Sequence, residues 1–198
     1  MVLVVAAATC LIGTAAAQQY SLPPGTPEEV EATYNAAVEK RTTAIVALLK
    51  LNDADKAARV HDLILAQYRA LRTRDEAIDA LLKLEGKDAS YANRARLLQS
   101  ESKPLHDQFL VKLSAELTPD QVEIVKDKMT YNKVQVTYDA YCSIIPSLTD
   151  ADKAEIQEKL KNAREEAIDA GSAGEKSFIF QKYKDQINDY LNAHGHDV

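Results

Sequence analysis

The chain contains two nearly identical heptamers, RDEAIDA from Arg74 and REEAIDA from Arg164. Each heptamer begins with an arginine that lies beside the apolar stripe of a predicted helix. Each arginine stands four residues before an isoleucine that helical spacing turns inward. A guanidinium there needs carboxylate or carbonyl partners, because an unpaired buried charge is costly. Two interpretations follow. In the first, Arg74 (with Asp75 beside it) and Arg164 are structural residues, paired with other groups at the edge of the core. In the second, they line one cleft and bind a polar or anionic ligand.

A histidine and a carboxylate, His106 and Asp107, are adjacent at a predicted helix start that follows Pro104. Such a pair can transfer protons as a general acid and base. The alternative is plain surface, because a histidine on the first turn of an amphipathic helix commonly faces water. The other histidines are scattered, and the terminal HGH motif is typical of a solvated tail.

The segment MTYNKVQVTYDAY collects three tyrosines and a carboxylate: Tyr131, Tyr138, Asp139 and Tyr141. Apolar residues alternate through its middle, and we predict an extended loop there, followed by a short helix that ends before Pro146. Sugar sites use such groups, with a flat aromatic face for the pyranose ring and carboxylates for its hydroxyls. The alternative is that the tyrosines close the ends of a helical bundle.

Motifs of the common catalytic and metal-binding classes are absent from the sequence. It has no zinc-ligand spacing, glycine-rich phosphate loop, GxSxG nucleophile motif or haem-attachment motif. Carboxylates are numerous, but they lie at i,i+4 spacing from Lys and Arg, and no pair stands out as a glycosidase dyad. We therefore predict no metal, cofactor or catalytic residue. A lyase or hydrolase built on His106, Tyr131 or Tyr138 is the enzymatic alternative.

Composition limits the partners of the protein. The chain has 198 residues, of which 46% are hydrophobic and 27% charged, as is usual for a globular domain. Its net charge is −6 and no block of Lys and Arg stands out. This balance argues against a nucleic-acid partner and against an anionic membrane surface. No motif indicates an oligomeric state.

Residues 1–17 have the character of a signal peptide, because they are apolar and end in small residues, with Ala15 and Ala17 matching the cleavage rule. Residues 18–25 are predicted to be a linker. We therefore expect an exported protein, periplasmic or extracellular, that is not held in a membrane in its mature form. Cys142 is then its single cysteine, so no internal disulfide can form and we expect a buried thiol.

The elements that must position these groups are predicted to be helices, since apolar residues recur at helical spacing over most of the chain. Helix starts are marked by the N-cap residues Thr26, Asn52 or Asp53, Thr118 and Thr149. A third helix is expected over residues 91–101, and Pro104 kinks or breaks it from the next. The predicted fold class is all-α: a single-domain bundle of about six to seven helices over residues 26–192, followed by a flexible tail at 193–198.

Each heptamer is preceded by a second similar segment, LNDADKA in one case and LTDADKA in the other. The interval from Ala57 to Arg74 is 17 positions and that from Ala154 to Arg164 is 10, so they differ by seven, about two helical turns. An insertion of that length keeps inward residues inward. We interpret the second and sixth predicted helices as counterparts in a helix-pair pseudo-repeat. Chance similarity between good helix formers is the alternative.

Two long segments carry a resemblance to a known family. They are LHDQFLVKLSAELTPDQVEIVKDKMTYNKVQVTYDAY from Leu105 and AREEAIDAGSAGEKSFIFQKYKDQINDYL from Ala163. The chain resembles exported bacterial proteins of unknown function that are provisionally described as sugar-binding and are associated with polysaccharide utilisation. The resemblance implies secretion and an oligosaccharide or polysaccharide partner, and it implies no catalytic residues. Lys128 and Asn132 stand where that family has glycines.

A shorter resemblance favours another function. LTPDQ from Leu117 is similar to the L-T-x-x-Q motif of small periplasmic helical chaperones. That resemblance implies a helical envelope protein that binds unfolded or partner proteins through an apolar groove. The acidic balance of the chain differs from the basic concave surface of such chaperones.

Overall fold

The computed structural model of the protein describes residues 25–87, 90, 93–94, 96–97 and 102–198. Within these ranges the chain forms seven complete helices and no strand, which confirms the all-α, single-domain prediction. The expected signal peptide, nearly all of the expected linker and most of the expected third helix lie outside the described residues. No helix within these ranges is long and apolar enough to cross a membrane.

The helices are α1 (Pro27–Leu48), α2 (Ala54–Leu84), α3 (Lys103–Glu116), α4 (Pro119–Met129), α5 (Lys133–Ile144), α6 (Asp150–Ala167) and α7 (Ala173–Ala193). Four of them begin with a capping box, in which the N-cap side chain and the third helical side chain each bind the other's backbone N–H. Their N-cap residues are Thr26, Thr118, Thr149 and Ser172. Asp53 caps α2 by accepting bonds from two backbone N–H groups. The helix starts expected from the sequence are therefore confirmed.

The ends of α2 and α6 differ in form. Gly86 follows α2 with φ 67°, the left-handed conformation that a glycine after a helix commonly adopts. Helix α6 ends at Ala167, so the last part of the REEAIDA heptamer forms the α6–α7 turn. Pro104 lies in the first turn of α3, where its missing N–H has no intrahelical role.

The extended loop predicted after Asn132 is wrong, because α5 is a continuous helix there. Its half-buried residues have helical spacing: Val134, Tyr138 and Tyr141 pack against the cluster formed by α6 and α7. Val136 points outward and is 64% exposed. The alternation of Val134 and Val136 therefore does not indicate a strand. Packing of one helical face decided the conformation despite the β-branched residues.

Buried apolar side chains form two clusters that meet along α2. The first joins α1, the beginning of α2, α3 and α4, and it includes Ile64 and Leu113. The second joins the end of α2 to α6 and α7, and it includes Leu82 and Ile156. Because α2 is 31 residues long, it runs through both clusters. The turns of α2 that lie between them carry the RDEAIDA heptamer.

The two heptamers occupy different parts of their helices. Ile78 and Ile168 are both buried, as the spacing predicts, but Ile78 belongs to the second cluster and Ile168 to the first. Helix α2 continues ten residues beyond Arg74, whereas α6 continues only three beyond Arg164. The paired segments thus share sequence, but RDEAIDA is helical throughout, whereas REEAIDA is helical only over residues 164–167. Their descent from one helix pair stays a prediction.

The chain beyond α7 contacts α6. His196 Nε2 lies 3.2 Å from Oδ2 of Asp152, and the His196 backbone N–H donates to the carbonyl of Leu191. The ring of His194 stacks on Tyr190 with 4.0 Å between centroids. These contacts involve residues that the sequence assigned to a flexible tail.

The turn between α6 and α7 touches α2 at a glycine. A β-carbon placed on Gly171 would lie 1.8 Å from Oδ2 of Asp75, far inside van der Waals contact. Asp75 is 6% exposed and is ion-paired with Arg74 and Arg94, so its carboxylate cannot move away without losing those partners. Glycine is therefore required at this position for the turn to pack on α2.

Replacing Gly171 with alanine should lower the free energy of unfolding by about 3 kcal/mol, because the new methyl group displaces a buried, ion-paired carboxylate. Urea denaturation followed by circular dichroism measures this loss. Gly86→Ala is the matched control, since nothing lies near its β-position. Only its positive φ is strained, at a cost of about 1 kcal/mol. Equal losses for the two variants would contradict the close contact with Asp75.

Candidate functional site

Ionisable side chains are densest where the α6–α7 turn meets α2 and α3. We call this group the turn cluster. Its members are Arg74, Asp75, Asp79, Arg94, His106, Asp169, Glu175 and Lys176. The structure therefore brings together three of the residues singled out in the sequence, Arg74, Asp75 and His106, and adds five others.

Arg74 extends from α2 to the end of α6. Its Nη1 donates to Oγ of Ser102 at 2.8 Å, and its Nη2 donates to Oδ1 of Asp75 at 2.8 Å. Nη2 also donates to the backbone carbonyl of Asp169, just after α6. The side chain is 10% exposed, and both ends of the guanidinium have protein partners. This geometry favours the structural interpretation of Arg74 over a ligand-binding one.

Arg94 joins carboxylates of α2 and α7. Its Nη2 lies 3.0 Å from Oδ2 of Asp75, its Nη1 lies 2.8 Å from Oδ2 of Asp79, and its Nε donates to Glu175. Glu175 is fully buried and also completes the capping box of α7. Burial, and then the charge of Glu175, raise the pKa of Asp75, while the two arginines act in the opposite direction. Arg94 thus holds two buried carboxylates that would otherwise repel each other.

His106 is paired with Asp169 and not with its sequence neighbour Asp107. Its Nδ1 lies 2.9 Å from Oδ2 of Asp169, whereas Asp107 is exposed and binds Lys103 at 2.9 Å. The acid–base pair proposed from adjacency is therefore wrong, because consecutive helical residues point in different directions. The bond to Asp169 raises the pKa of His106. The second oxygen of Asp169, Oδ1, is buried and has no hydrogen-bond partner among the described residues.

Lys176 is a cation inside the core. The side chain is among the largest that are fully buried, and its Nζ donates to the carbonyls of Ala167 at 2.8 Å and Ile168 at 3.2 Å. Burial lowers the pKa of Lys176 to about 7. The sequence analysis missed this residue, although its signal is visible: a lysine four positions before Phe180, on the apolar stripe of α7.

Arg164 binds a separate set of carboxylates. Its Nη1 lies 2.6 Å from Asp127 and its Nη2 lies 2.5 Å from Glu123, both on α4, and it also binds Glu165 at 3.0 Å. These bonds raise the pKa of Arg164 despite its burial. Arg74 and Arg164 share no partner, and each guanidinium is held by its own set of protein groups.

The partners of the turn cluster decide how it should be interpreted. Each of its arginines binds at least one carboxylate, its lysine binds two carbonyls, and its histidine binds Asp169. A polar network with its donors occupied makes a core rigid and specific, and it has little left to offer a ligand. Within the described ranges, no group of three or more His, Cys, Asp or Glu residues is placed to hold a metal ion.

A second assembly, which we call the Arg41 site, has unused donors. It consists of Arg41 of α1, Tyr68 of α2 and Tyr131 of the α4–α5 turn. The Arg41 Cζ lies 5.7 Å from the centroid of the Tyr68 ring and 5.0 Å from that of Tyr131. No described carboxylate lies within 4 Å of this guanidinium, although Arg41 is half-buried. The hydroxyl of Tyr68, a residue only 6% exposed, also lacks a hydrogen-bond partner among the described residues.

Tyr131 is presented by a constrained turn. It has φ 60° and the next residue, Asn132, has φ 53°, so two consecutive non-glycine residues are left-handed. Such conformations cost about 1–2 kcal/mol each and persist only where the surroundings enforce them. Here Thr130 is fully buried and its Oγ1 donates to the carbonyl of Lys126 at 2.9 Å. The turn therefore fixes a tyrosine that remains 38% exposed.

The other members of the tyrosine segment have structural contacts on α5. The hydroxyl of Tyr141 donates to Oδ1 of Asn188 at 2.7 Å, and Tyr138 packs on the second apolar cluster. Asp139 is exposed and accepts a bond from Gln135 at 2.7 Å. Only Tyr131 of the predicted sugar-site residues therefore belongs to the Arg41 site. Arg41 itself was missed, because its one signal is a position beside the apolar stripe of α1.

Comparison with known families adds one assignment. A protein family described as "Protein of unknown function (DUF3826)" matches residues 35–198, most of the chain. The chain belongs to this family. The matched range contains the whole turn cluster and the whole Arg41 site. No curated protein sequence matches the chain.

The His106–Asp169 pair should make stability depend on pH. The folded pKa of His106 is raised above its ordinary value of 6.5, so the pair stabilises the fold below that pH and this contribution is lost as pH rises through the folded value. We expect His106→Gln to lower the free energy of unfolding by about 1 kcal/mol near pH 5.5, and by clearly less near pH 8.5. Urea denaturation at both pH values measures the difference.

Two carboxylate variants are the controls for this pair. Asp169→Asn should reduce the same pH dependence, whereas Asp107→Asn should leave it unchanged, because Asp107 binds Lys103 at the surface. A pH dependence that is lost in Asp107→Asn and kept in Asp169→Asn would show that the pairing is wrong.

Proposed function

We propose that this protein is a non-catalytic carbohydrate-binding domain and that the ligand binds at the Arg41 site. One observation carries the proposal: a half-buried guanidinium with unused donors lies between two tyrosine rings, one of them exposed. The resemblance of the chain to exported proteins of polysaccharide utilisation supports the same choice of ligand. Export of the mature protein, periplasmic or extracellular, is part of this proposal.

The three side chains of the site match what a sugar needs. The exposed ring of Tyr131 offers a flat apolar face to the C–H groups of a pyranose ring. The N–H groups of Arg41 and the hydroxyl of Tyr68 are donors that sugar oxygens can accept. Because the α4–α5 turn already holds Tyr131, little conformational entropy is lost when a ligand binds.

Binding is favoured over catalysis by the state of the proton-transfer groups. His106 is bonded to Asp169, and Lys176 is buried with its ammonium on two backbone carbonyls. Neither group is free to exchange a proton with a polymer at the surface. Of the two tyrosines considered for a lyase or hydrolase, Tyr131 and Tyr138, the second packs on the core through α5.

A second candidate function, binding of unfolded or partner proteins, is supported by the outer face of α5. Val136 and Ile144 on that helix are 64% and 77% exposed. The L-T-x-x-Q resemblance gives it less support, because the motif residues have local roles. Thr118 and Gln121 form the capping box of α4, and Gln121 also donates to the carbonyl of Leu49 at 3.0 Å.

Tyr131→Ala should weaken oligosaccharide binding by about fivefold, which corresponds to the roughly 1 kcal/mol contributed by an aromatic contact. The mature protein is titrated calorimetrically with ligands chosen by a thermal-shift screen of oligosaccharides. Phe178→Ala is the matched control, since Phe178 is 39% exposed but belongs to α7 and has no cation–π partner among the described residues. We expect the control to bind like the unmodified protein.

Two outcomes would count against the carbohydrate proposal. The first is the absence of binding to any oligosaccharide in the screen. The second is suppression of client-protein aggregation that is lost in Val136→Lys, which would favour the protein-binding function.

A further inference from the structure

We infer that the ligand of the Arg41 site is an acidic saccharide whose carboxylate binds the Arg41 guanidinium. This inference rests on the proposed function and specifies the class of sugar. It depends on how Arg41 differs from the other arginines of the protein.

Arg41 is the exception among the arginines withdrawn from water. Five described arginines are buried or half-buried: Arg41, Arg72, Arg74, Arg94 and Arg164. The last four each have a carboxylate oxygen within 3.0 Å. Arg41 has none within 4 Å among the described residues, in a protein with 30 acidic and 24 basic side chains. A partly desolvated guanidinium without an anion is unfavourable unless a ligand supplies that anion.

The guanidinium of Arg41 carries a charge that no described carboxylate within 4 Å balances. The groups seen beside it are the rings of Tyr68 and Tyr131. Carboxylates of the turn cluster are engaged elsewhere, since Asp169 binds His106 and Glu175 binds Arg94. An anion bound to Arg41 would therefore complete the pairing of its guanidinium.

The geometry of the site favours a carboxylate on a ring. The two tyrosine rings interact with the charge of Arg41, and no described carboxylate within 4 Å accepts from its N–H groups. A carboxylate can accept two parallel N–H bonds from a guanidinium. The sugar ring that bears the carboxylate would lie beside the exposed Tyr131. The buried hydroxyl of Tyr68 can donate a hydrogen bond to one oxygen of that sugar. A uronic-acid residue of an oligosaccharide has this combination of groups.

The test compares a uronic-acid trisaccharide with its carboxyl-reduced, neutral counterpart by calorimetric titration of the mature protein. We expect the acidic ligand to bind at least tenfold more tightly at low salt, and this preference to shrink as salt is added. Arg41→Gln should reduce the preference to less than twofold while neutral binding persists. Arg72→Gln is the matched control, because Arg72 also lies over a tyrosine, 4.0 Å from the Tyr34 ring, but is paired with Glu31 and Glu76.

The outcomes separate this inference from the proposed function. Binding of neither trisaccharide would reject both. Equal binding of the acidic and neutral ligands would leave carbohydrate binding in place and overturn the carboxylate assignment. Tighter binding of a sulfated neutral trisaccharide than of the uronic-acid ligand would also overturn it. If Arg41→Gln does not fold, Arg41→Lys replaces it and should lose most of the preference, because a lysine cannot form the paired bonds.

Discussion

The contact between Asp75 of α2 and the α6–α7 turn is the constraint on which the rest of the structure depends. It buries a carboxylate against the backbone of Gly171, and such a charge is tolerated only with cations around it. Arg74 and Arg94 provide them, and in doing so they reach the end of α6 and Glu175 of α7. Four elements of the bundle are therefore held in one relative position by a single set of paired charges.

The Arg41 site contrasts with the turn cluster in its charge balance. Carboxylates of the turn cluster are bound by Arg74, Arg94 and His106, whereas no described carboxylate lies within 4 Å of the Arg41 guanidinium. This unbalanced charge lies over the ring of the exposed Tyr131. In this member of a family of unknown function, Arg41 is the centre of the binding site that we propose.

Much of the fold could be predicted from local signals, but the site could not. Thr118 and Gln121 identify a helix start because both partners of the capping box lie within four residues. By contrast, His106 and Asp169 are separated by 63 positions, and adjacency suggested Asp107 instead. The valines of α5 gave a wrong prediction for a related reason. Over so short a segment, strand and helix spacing predict the same number of apolar residues, and only packing on α6 and α7 distinguishes the two conformations.

The sequence by itself determined that this protein is a helical bundle, where α1, α2, α4 and α6 begin, and that Ile78 and Ile168 face inward. These properties follow from capping and periodicity, which act over one or two turns of the chain. The tertiary structure alone decided which charges are paired, since ion pairing depends on distances between residues that are remote in sequence. Arg74 and Arg164 look alike in sequence yet bind different carboxylates, and Arg41 differs from both because no described carboxylate lies within 4 Å of it.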